Sequence, residues 1–160
     1  MIKLYFKPLK NISKKPLKAH ETDAGFDLYS TEEVILYPNK QTKLSTGVAV
    51  QAKFDDPEDA KKFLIELKIE GTSGNAAKLG IFPIGGVIDQ EYTGEIGVIL
   101  CNLGGDALKI EAGKKIAQLV PHVIPRISKV IYLGENDEFE TTERGSNGFG
   151  STGTAASWNC

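Results

Sequence analysis

The chain has 160 residues, with 19 Lys and Arg against 21 Asp and Glu, and a formal net charge of −2 at pH 7. This length fits one domain with a substantial core, and the balanced charge gives no electrostatic footprint for duplex nucleic acid. No apolar run is long enough to span a bilayer, and the N-terminus lacks the pattern of a signal peptide. We therefore expect no nucleic-acid partner and no membrane association.

The cysteine and glycine content narrows the class further. Cys101 and Cys160 have no metal-ligand spacing. A single disulfide remains open, although free thiols in a reducing cytosol are the simpler interpretation, so we expect a cytoplasmic protein. The 17 glycines and the scarcity of helical patterning predict an all-β chain with many turns.

Strands alternate with irregular segments over the first fifty residues. Ala24 and Gly25 permit close packing ahead of a short apolar run. Within that run Asp27 stands between Phe26 and Leu28, so its carboxylate is either exposed on a strand face or kept there for a purpose. The other predicted elements are a strand at Met1–Phe6, a basic irregular segment at Lys7–Lys18, and strands at Val34–Tyr37 and Lys43–Val50, broken at 38–39 and 46–47.

The segment before residue 63 carries the signals of a helix start. Asp56 is suited to cap a short helix, Pro57 to occupy its first position, and two acidic residues, Glu58 and Asp59, to complement the dipole of its first turn. From residue 63 to 69 apolar and charged residues then alternate strictly, which predicts a half-buried strand.

Small residues dominate the next segment, Gly71–Gly80, and predict a short helix. Backbone N–H groups and the Ser73 hydroxyl would then be exposed at its N-terminus, an arrangement that attracts phosphate. The alternative is an ordinary helix start capped by Ser73.

The central stretch runs from Gly85 to Glu95 and reads Gly-Gly-Val-Ile-Asp-Gln-Glu-Tyr-Thr-Gly-Glu. Glycines on both sides of an apolar run predict a hairpin whose backbone is open to a ligand. Asp89 and Tyr92 lie three residues apart across the polar turn, so both side chains are expected to reach one small pocket. The alternative is a surface hairpin with a solvated aspartate.

Further strands are predicted after this stretch, at 108–110 and 116–120, with a Gly-Lys-Lys turn at 113–115 between them. Gln118 stands inside the second apolar run, either facing an edge or placed there as a hydrogen-bonding group. The next strand is expected to run to about Leu133, followed by an acidic loop at 134–140.

The tail from Glu143 to Gly153 is too rich in glycine to form a packed core. It is either a flexible linker or a mobile lid over a site. As a lid, Arg144 with Ser151 and Thr152 would bind phosphates, and Phe149 would stack on a base. We therefore divide the chain into a β-barrel domain at 1–140 and a glycine-rich lid and tail at 141–160.

Five segments resemble, in chain order, the five motifs of the trimeric deoxyuridine triphosphatases, the dUTPases. They are Ala24–Ser30, Thr72–Lys78, Gly86–Glu95, Gly113–Leu119 and Arg144–Gly153. A single glycine-rich match would be weak evidence, whereas five in order over most of the chain are strong evidence.

The resemblance implies a jelly-roll-like distorted β-barrel with one or two short helices, assembled as a homotrimer. Three active sites would lie between subunits, with the tail of one chain closing over a neighbour's site. The implied reaction is hydrolysis of dUTP to dUMP and pyrophosphate by attack of water on the α-phosphorus, with Mg²⁺ on the triphosphate. That activity limits uracil in DNA and supplies dUMP for dTMP synthesis.

The resemblance also implies roles for individual residues. Asp89 would orient and deprotonate the water, and Tyr92 would lie under the deoxyribose and exclude a 2′-hydroxyl. Asp27 would contact Mg²⁺ through water, as a second catalytic carboxylate with no direct metal ligand from the protein. The remaining substrate-binding residues would be Gly86, Val87 and Ile88 at the uracil, Ser73, Gly74 and Gln118 at the phosphates, and Arg144, Phe149, Gly150, Ser151 and Thr152 in the lid.

Two features depart from the family pattern. Thr72 occupies the position where the family usually has arginine, so phosphate binding would rest on Ser73, Arg144 and a nearby lysine such as Lys78. The segment 52–62 is longer than the short turn expected there. Two other functions stay open: a dCTP deaminase of the same fold, although Ile96–Cys101 has no carboxylate for that chemistry, and a slow-turnover nucleotide-binding regulatory protein.

Overall fold

A computed structural model of the chain describes residues 1–146, which form an all-β fold with two short helices. The elements are β1 Ile2–Pro8, β2 Phe26–Tyr29, β3 Val34–Leu36, β4 Gln41–Phe54, α1 Pro57–Lys62, β5 Phe63–Glu70, α2 Ser73–Leu79, β6 Ile81–Ile84, β7 Val87–Ile88, β8 Glu95–Asn102, β9 Leu108–Ile110 and β10 Lys115–Pro125.

Two four-stranded antiparallel sheets make up the body of the molecule. Their strand orders are β1-β4-β8-β6 and β2-β10-β5-β7, and β3 and β9 form a small third sheet. The arrangement is jelly-roll-like, as expected, although the described strands do not close into one continuous barrel. The second sheet carries predicted site residues on β2, β10 and β7.

The core lies between the two large sheets and is built by strict alternation along their strands. On β8, Ile96, Val98 and Leu100 are fully buried, and on β5 the same is true of Ile65 and Leu67. Burying each such side chain contributes about 1.5–3 kcal/mol, so register in both sheets is fixed by the apolar face. The intervening residues of β5 and β8 remain half-exposed.

The predicted helix start is confirmed. Asp56 caps α1, and its side chain accepts a hydrogen bond of 2.9 Å from the backbone N–H of Glu58, with Pro57 at the first helical position. The guanidinium Nε of Arg126 donates to the carbonyl of Ala60 at 2.9 Å, so α1 is fastened to the end of β10.

Two predicted strand boundaries are wrong. The chain passes through 46–47 without leaving β4, because Gly47 adopts a φ of 67° and the register against β8 shifts there, as in a β-bulge. The strand expected to run to about Leu133 is the continuation of β10, and it ends at Pro125. The prediction also missed β6, an edge strand that tolerates Pro83 because one side of an edge strand needs no ladder hydrogen bonds.

Residues Met1–Arg126 form one compact unit. The chain from Ile127 belongs to a second unit, whose described part, 127–146, contains no helix or strand and exposes apolar side chains such as Ile131 and Tyr132. The division at residue 140 stays a prediction. Within the described residues, no helix has the length and apolar character that crossing a membrane requires.

Candidate active site

The central stretch, hereafter the Asp89 turn (residues 85–95), is not the two-stranded hairpin that its sequence suggests. Its first arm, β7, pairs with β5, whereas its second arm leads into β8, which pairs with β4 and β6. The turn therefore leaves one large sheet and enters the other. The backbone N–H of Tyr92 donates to the carbonyl of Asp89 at 3.0 Å and closes the bend.

Gly86 is required where the turn begins, because the backbone of β5 passes directly beside it. A Cβ at this position would lie 2.5 Å from the carbonyl oxygen of Ile69. The close approach allows the N–H of Ile69 to donate to the carbonyl of Gly86 at 2.7 Å. Together with the two ladder pairs made by Val87 and Ile88, this contact fixes the first arm.

Asp89 and Tyr92 share a pocket, as predicted from their spacing. Both line a cavity of about 630 Å³ and a second one of about 290 Å³ on either side of the turn. Asp89 is exposed, and Tyr92 is 48% exposed. The Tyr92 hydroxyl donates to the carbonyl of Glu95 at 3.0 Å, and its ring lies against Gly94, where a Cβ would come within 2.4 Å of the hydroxyl oxygen. The hydroxyl contact and the neighbouring Gly94 hold the aromatic ring, while about half of the residue remains accessible.

Glu95 fastens the second arm of the turn to β4. Its carboxylate accepts a hydrogen bond from the Ser45 hydroxyl and one of 2.8 Å from the N–H of Gly47, and the ammonium of Lys10 lies 3.8 Å away. The Ser45 hydroxyl, followed by the Gly47 N–H and the nearby lysines, lowers the pKa of Glu95 below its usual value despite partial burial.

A second group of predicted residues lies on β2 and β10. Asp27 pairs directly with Gln118 across the two strands, and the ammonium of Lys115 lies 3.1 Å from Oδ2 of Asp27. We call Asp27, Lys115 and Gln118 the Asp27 face. The Asp27 side chain is 19% exposed, so its carboxylate is neither free on the surface nor buried without a partner.

Gln118 is a placed hydrogen-bonding group and does not face an edge, because β10 has neighbours on both sides. Its Nε2 donates to the carbonyl of Gly71 at 3.0 Å. The other end of the amide lies over Gly25, where a Cβ would come within 2.6 Å of Oε1. This explains the glycine in the first motif, since any side chain there would displace Gln118.

Helix α2 begins beside the Asp27 face. Thr72 is its N-cap and accepts a hydrogen bond of 3.4 Å from the N–H of Asn75, so the alternative of a Ser73 cap is wrong. The Asn75 amide donates to the carbonyls of residues 115 and 116 at 3.4 and 3.3 Å, which ties α2 to the start of β10. Ser73 and Gly74 are exposed in the first turn of the helix. Lys78 lies in the last turn, roughly 7.5 Å further along the axis.

The two groups lie far apart within one chain. Ile88 is opposite Leu67 on β5, whereas Gln118 is opposite Glu70, three residues further along the same strand. With about 4.8 Å between strands and 3.4 Å per residue, Ile88 and Gln118 are about 14 Å apart, and Asp27, one strand beyond, is about 18 Å from Ile88. Neither cavity at the Asp89 turn is lined by a residue of the Asp27 face.

The donor set suits Mg²⁺ bound mainly by a substrate. Across residues 1–146 no cluster of three or more His, Cys, Asp or Glu side chains could bind a metal directly. Mg²⁺ prefers phosphate oxygens and water with one or two carboxylates, and the partly exposed carboxylate of Asp27 meets that need. Arg144 lies within the described residues, whereas the predicted lid residues Phe149, Gly150, Ser151 and Thr152 lie outside them.

The sequence analysis missed two residues of this region. Lys115 was noted there as part of a turn and not as a partner of Asp27, and Glu95 was noted only as the last residue of the central stretch. Each acts through a contact with a distant part of the chain, Lys115 with β2 and Glu95 with β4. The five motifs are the signal that marks both positions, because each residue belongs to one of them.

Comparison with known proteins identifies the family of the chain. The family model described as dUTPase matches residues 12–153. The chain belongs to the dUTPase family. A deoxyuridine 5′-triphosphate nucleotidohydrolase of Clostridium novyi (strain NT) is 44% identical over 142 residues, covering 86% of this chain and 89% of that protein.

Solved dUTPase structures are similar in fold. The dUTPase of Staphylococcus bacteriophage 80alpha with dUPNHPP superposes with a TM-score of 0.74 at 29% identity, covering 95% of this chain and 99% of that one. A mutant dUTPase from phage phi11 of S. aureus, described with a structural Mg(II) ion, superposes with a TM-score of 0.68 at 25% identity, covering 87% and 99%.

Proposed function

We propose that this dUTPase-family chain hydrolyses dUTP to dUMP and pyrophosphate, by attack of a water molecule on the α-phosphorus. The observation that carries the proposal is the Asp89 turn, where an exposed carboxylate and a fixed aromatic ring share one pocket. Family membership and the similarity to a phage dUTPase with a bound nucleotide analogue support it.

Asp89 acts as the general base. Its carboxylate is exposed at the bend of a turn that is fastened at both ends, so it reaches a water molecule without rearrangement of the backbone. A positioned base of this kind contributes about 10²–10⁴-fold to the rate. Tyr92 lies under the deoxyribose, and the backbone of Gly86, Val87 and Ile88 reads the uracil edge.

Asp27, Gln118 and the start of α2 bind the triphosphate. Ser73, Gly74 and Gln118 donate hydrogen bonds to phosphate oxygens, and Asp27 would hold Mg²⁺ through water. Bound Mg²⁺ supplies neutralisation of the phosphate charge. Arg144, Phe149, Gly150, Ser151 and Thr152 close over the substrate as a lid.

The complete site is shared between subunits of a homotrimer. The support for shared sites is the separation of about 18 Å, within one chain, between Asp27 and Ile88, the neighbour of Asp89. The carboxylates of Asp27 and Asp89 must act on one triphosphate. A threefold assembly brings the Asp89 turn of one subunit to the Asp27 face of another. Exposed apolar side chains such as Val87 and Ile131 give such an assembly surface to bury.

The test of the reaction is product analysis with the full chain and Mg²⁺. We expect pyrophosphate release from dUTP, little turnover of UTP, and no ammonia from dCTP. Ammonia release would indicate the deaminase instead, and dUTP binding without turnover would indicate a regulatory protein.

Shared sites are tested separately by mixing two inactive variants, Asp89→Asn and Asp27→Asn, after unfolding and refolding them together. If each site takes Asp89 and Asp27 from different subunits, about a quarter of the sites in a random equal mixture are fully native, and activity returns accordingly. Activity that stays at the level of the separate variants would contradict shared sites.

A further inference from the structure

Lys115 has no role in the reaction described so far, although it is the cation of the Asp27 face. Its ammonium nitrogen lies 3.1 Å from Oδ2 of Asp27, and its side chain is 45% exposed. We propose that Lys115 binds the phosphates beyond the α-phosphate, and that it leaves Asp27 to do so. The proposal rests on the function proposed above and adds a residue that determines the affinity for a triphosphate.

A β-bulge is what brings Lys115 to this face. In a regular strand, residues 115 and 118 would point to opposite sides of the sheet, because side chains alternate. The register between β10 and β2 shifts between Lys115 and Ala117, and both Ile116 and Ala117 are buried. The extra residue shifts the alternation of side chains along β10 by one position. Lys115 therefore lies on the same side of the sheet as Gln118 and Asp27. A bulge that re-aims a side chain beside an active site is a recurrent device.

The nearby lysines are placed less well for this task. The Lys14 ammonium donates to the carbonyl of Gly113 at 2.8 Å and lies 5.1 Å from the centre of the Tyr29 ring. Lys18 lies 5.0 Å from the centre of the Phe26 ring. Lys78 is at the far end of α2, and Thr72, at the near end, is neutral and serves as the N-cap.

The ion pair with Asp27 is suited to exchange. The Lys115 side chain is 45% exposed, so a strongly anionic ligand in solvent can compete for its ammonium, and water can take its place at the Asp27 carboxylate, which is 19% exposed. Charge-assisted hydrogen bonds from an ammonium to phosphate oxygens are among the strong ones. Once Lys115 has turned to the phosphates, the Asp27 carboxylate is available to accept hydrogen bonds from water.

The test compares two ligands by calorimetry, a non-hydrolysable dUTP analogue and dUMP, each with Mg²⁺ and with EDTA. For Lys115→Ala we expect about tenfold weaker binding of the analogue under both conditions, and a change of less than about twofold for dUMP. Lys115→Arg should retain affinity for the analogue. The matched control is Lys109→Ala, which removes an exposed lysine paired with Glu33 at 2.8 Å and should change neither affinity.

A second comparison separates contact with phosphate from mere neutralisation of Asp27. In the Asp27→Asn background with EDTA, adding Lys115→Ala should again weaken binding of the analogue about tenfold. Loss of the effect in that background would overturn the proposal, as would equal weakening of dUMP and analogue, or no weakening of either.

Failure of this inference is distinguishable from failure of the proposed function. A native protein that releases pyrophosphate from dUTP, with Lys115→Ala binding the analogue normally, would overturn the role of Lys115 alone. A native protein that binds the analogue through Lys115 but never turns over dUTP would overturn the hydrolase function and leave the phosphate contact standing.

Discussion

The Asp27 face and the Asp89 turn each present one carboxylate, but the fold supports them in opposite ways. Asp27 belongs to a strand of a four-stranded sheet and lies between a ladder partner, Gln118, and an ion-pair partner, Lys115. Asp89 follows a strand of two residues and is exposed at a bend. The first carboxylate is fixed by the sheet, whereas the second is fixed by a few local contacts around it.

This difference matches the two tasks proposed for these carboxylates. Binding a triphosphate needs several groups at fixed spacing, which a sheet supplies because its register sets every side chain at once. A general base needs access to water and to the reacting phosphorus, which a turn on a rigid scaffold supplies. In one chain Ile88 and Asp27 are about 18 Å apart, a separation that the proposed sharing of sites between subunits would bridge.

The largest expected effect comes from the exposed carboxylate. Asp89→Asn should lower the turnover of dUTP by about 10²–10⁴-fold, because the amide cannot accept a proton, while binding of a non-hydrolysable analogue changes little. Pyrophosphate release and calorimetry measure the two quantities. Glu91→Gln, an exposed acid on the same turn, serves as the control and should turn over dUTP normally. Native turnover by Asp89→Asn would remove this residue from the chemistry.

The second effect concerns the contact that fixes the first arm of the turn. Gly86→Ala places a Cβ about 2.5 Å from the carbonyl oxygen of Ile69, so β7 must move away from β5. We expect a loss of about 1–3 kcal/mol in the free energy of unfolding, together with weaker binding of dUMP. Gly105→Ala is the matched control, because a Cβ there meets nothing within 4 Å. Chemical denaturation of both variants decides whether the close approach matters.

The Asp89 turn and the Asp27 face also show what the sequence could and could not predict. The pocket shared by Asp89 and Tyr92 follows from a spacing of three residues, which is local information. The pairing of the two arms with different sheets could not be predicted from local sequence, because glycines around an apolar run are equally typical of a simple hairpin. Likewise, Gln118 was identifiable as a polar group inside an apolar strand, but the bulge that adds Lys115 to its face depends on the register with β2.

A third effect comes from the anchor of the second arm. The pKa of Glu95 is lowered in the folded state, chiefly by the Ser45 hydroxyl and also by the Gly47 N–H. Its contribution to stability is therefore complete above the unfolded pKa of about 4.3 and is lost as the pH falls through the lower folded value. Glu95→Gln should flatten the decline in stability below about pH 4.3, as measured by denaturation at several pH values. An unchanged acid limb would show that Glu95 does not titrate with folding.

The smallest effect tests whether the Asp27 face already has its cation. Thr72→Arg removes the N-cap of α2, so we expect a loss of about 1 kcal/mol in the free energy of unfolding. The new guanidinium lies at the start of α2, beside the Asp27 face, and offers a bidentate contact to phosphate. If Lys115 already binds the phosphates, the gain in affinity for a dUTP analogue should be small in the native background, about twofold, and larger, about tenfold, in Lys115→Ala.

Thr72→Ser is the control for the cap, because a hydroxyl is retained and no charge is added. It should keep native stability and leave binding unchanged in both backgrounds. Equal gains in affinity for the analogue from Thr72→Arg, with and without Lys115, would mean that the new guanidinium and the Lys115 ammonium act on different phosphates. The native site would then lack a charge at position 72. A gain confined to the Lys115→Ala background would instead show that the bulge in β10 supplies the charge that position 72 does not.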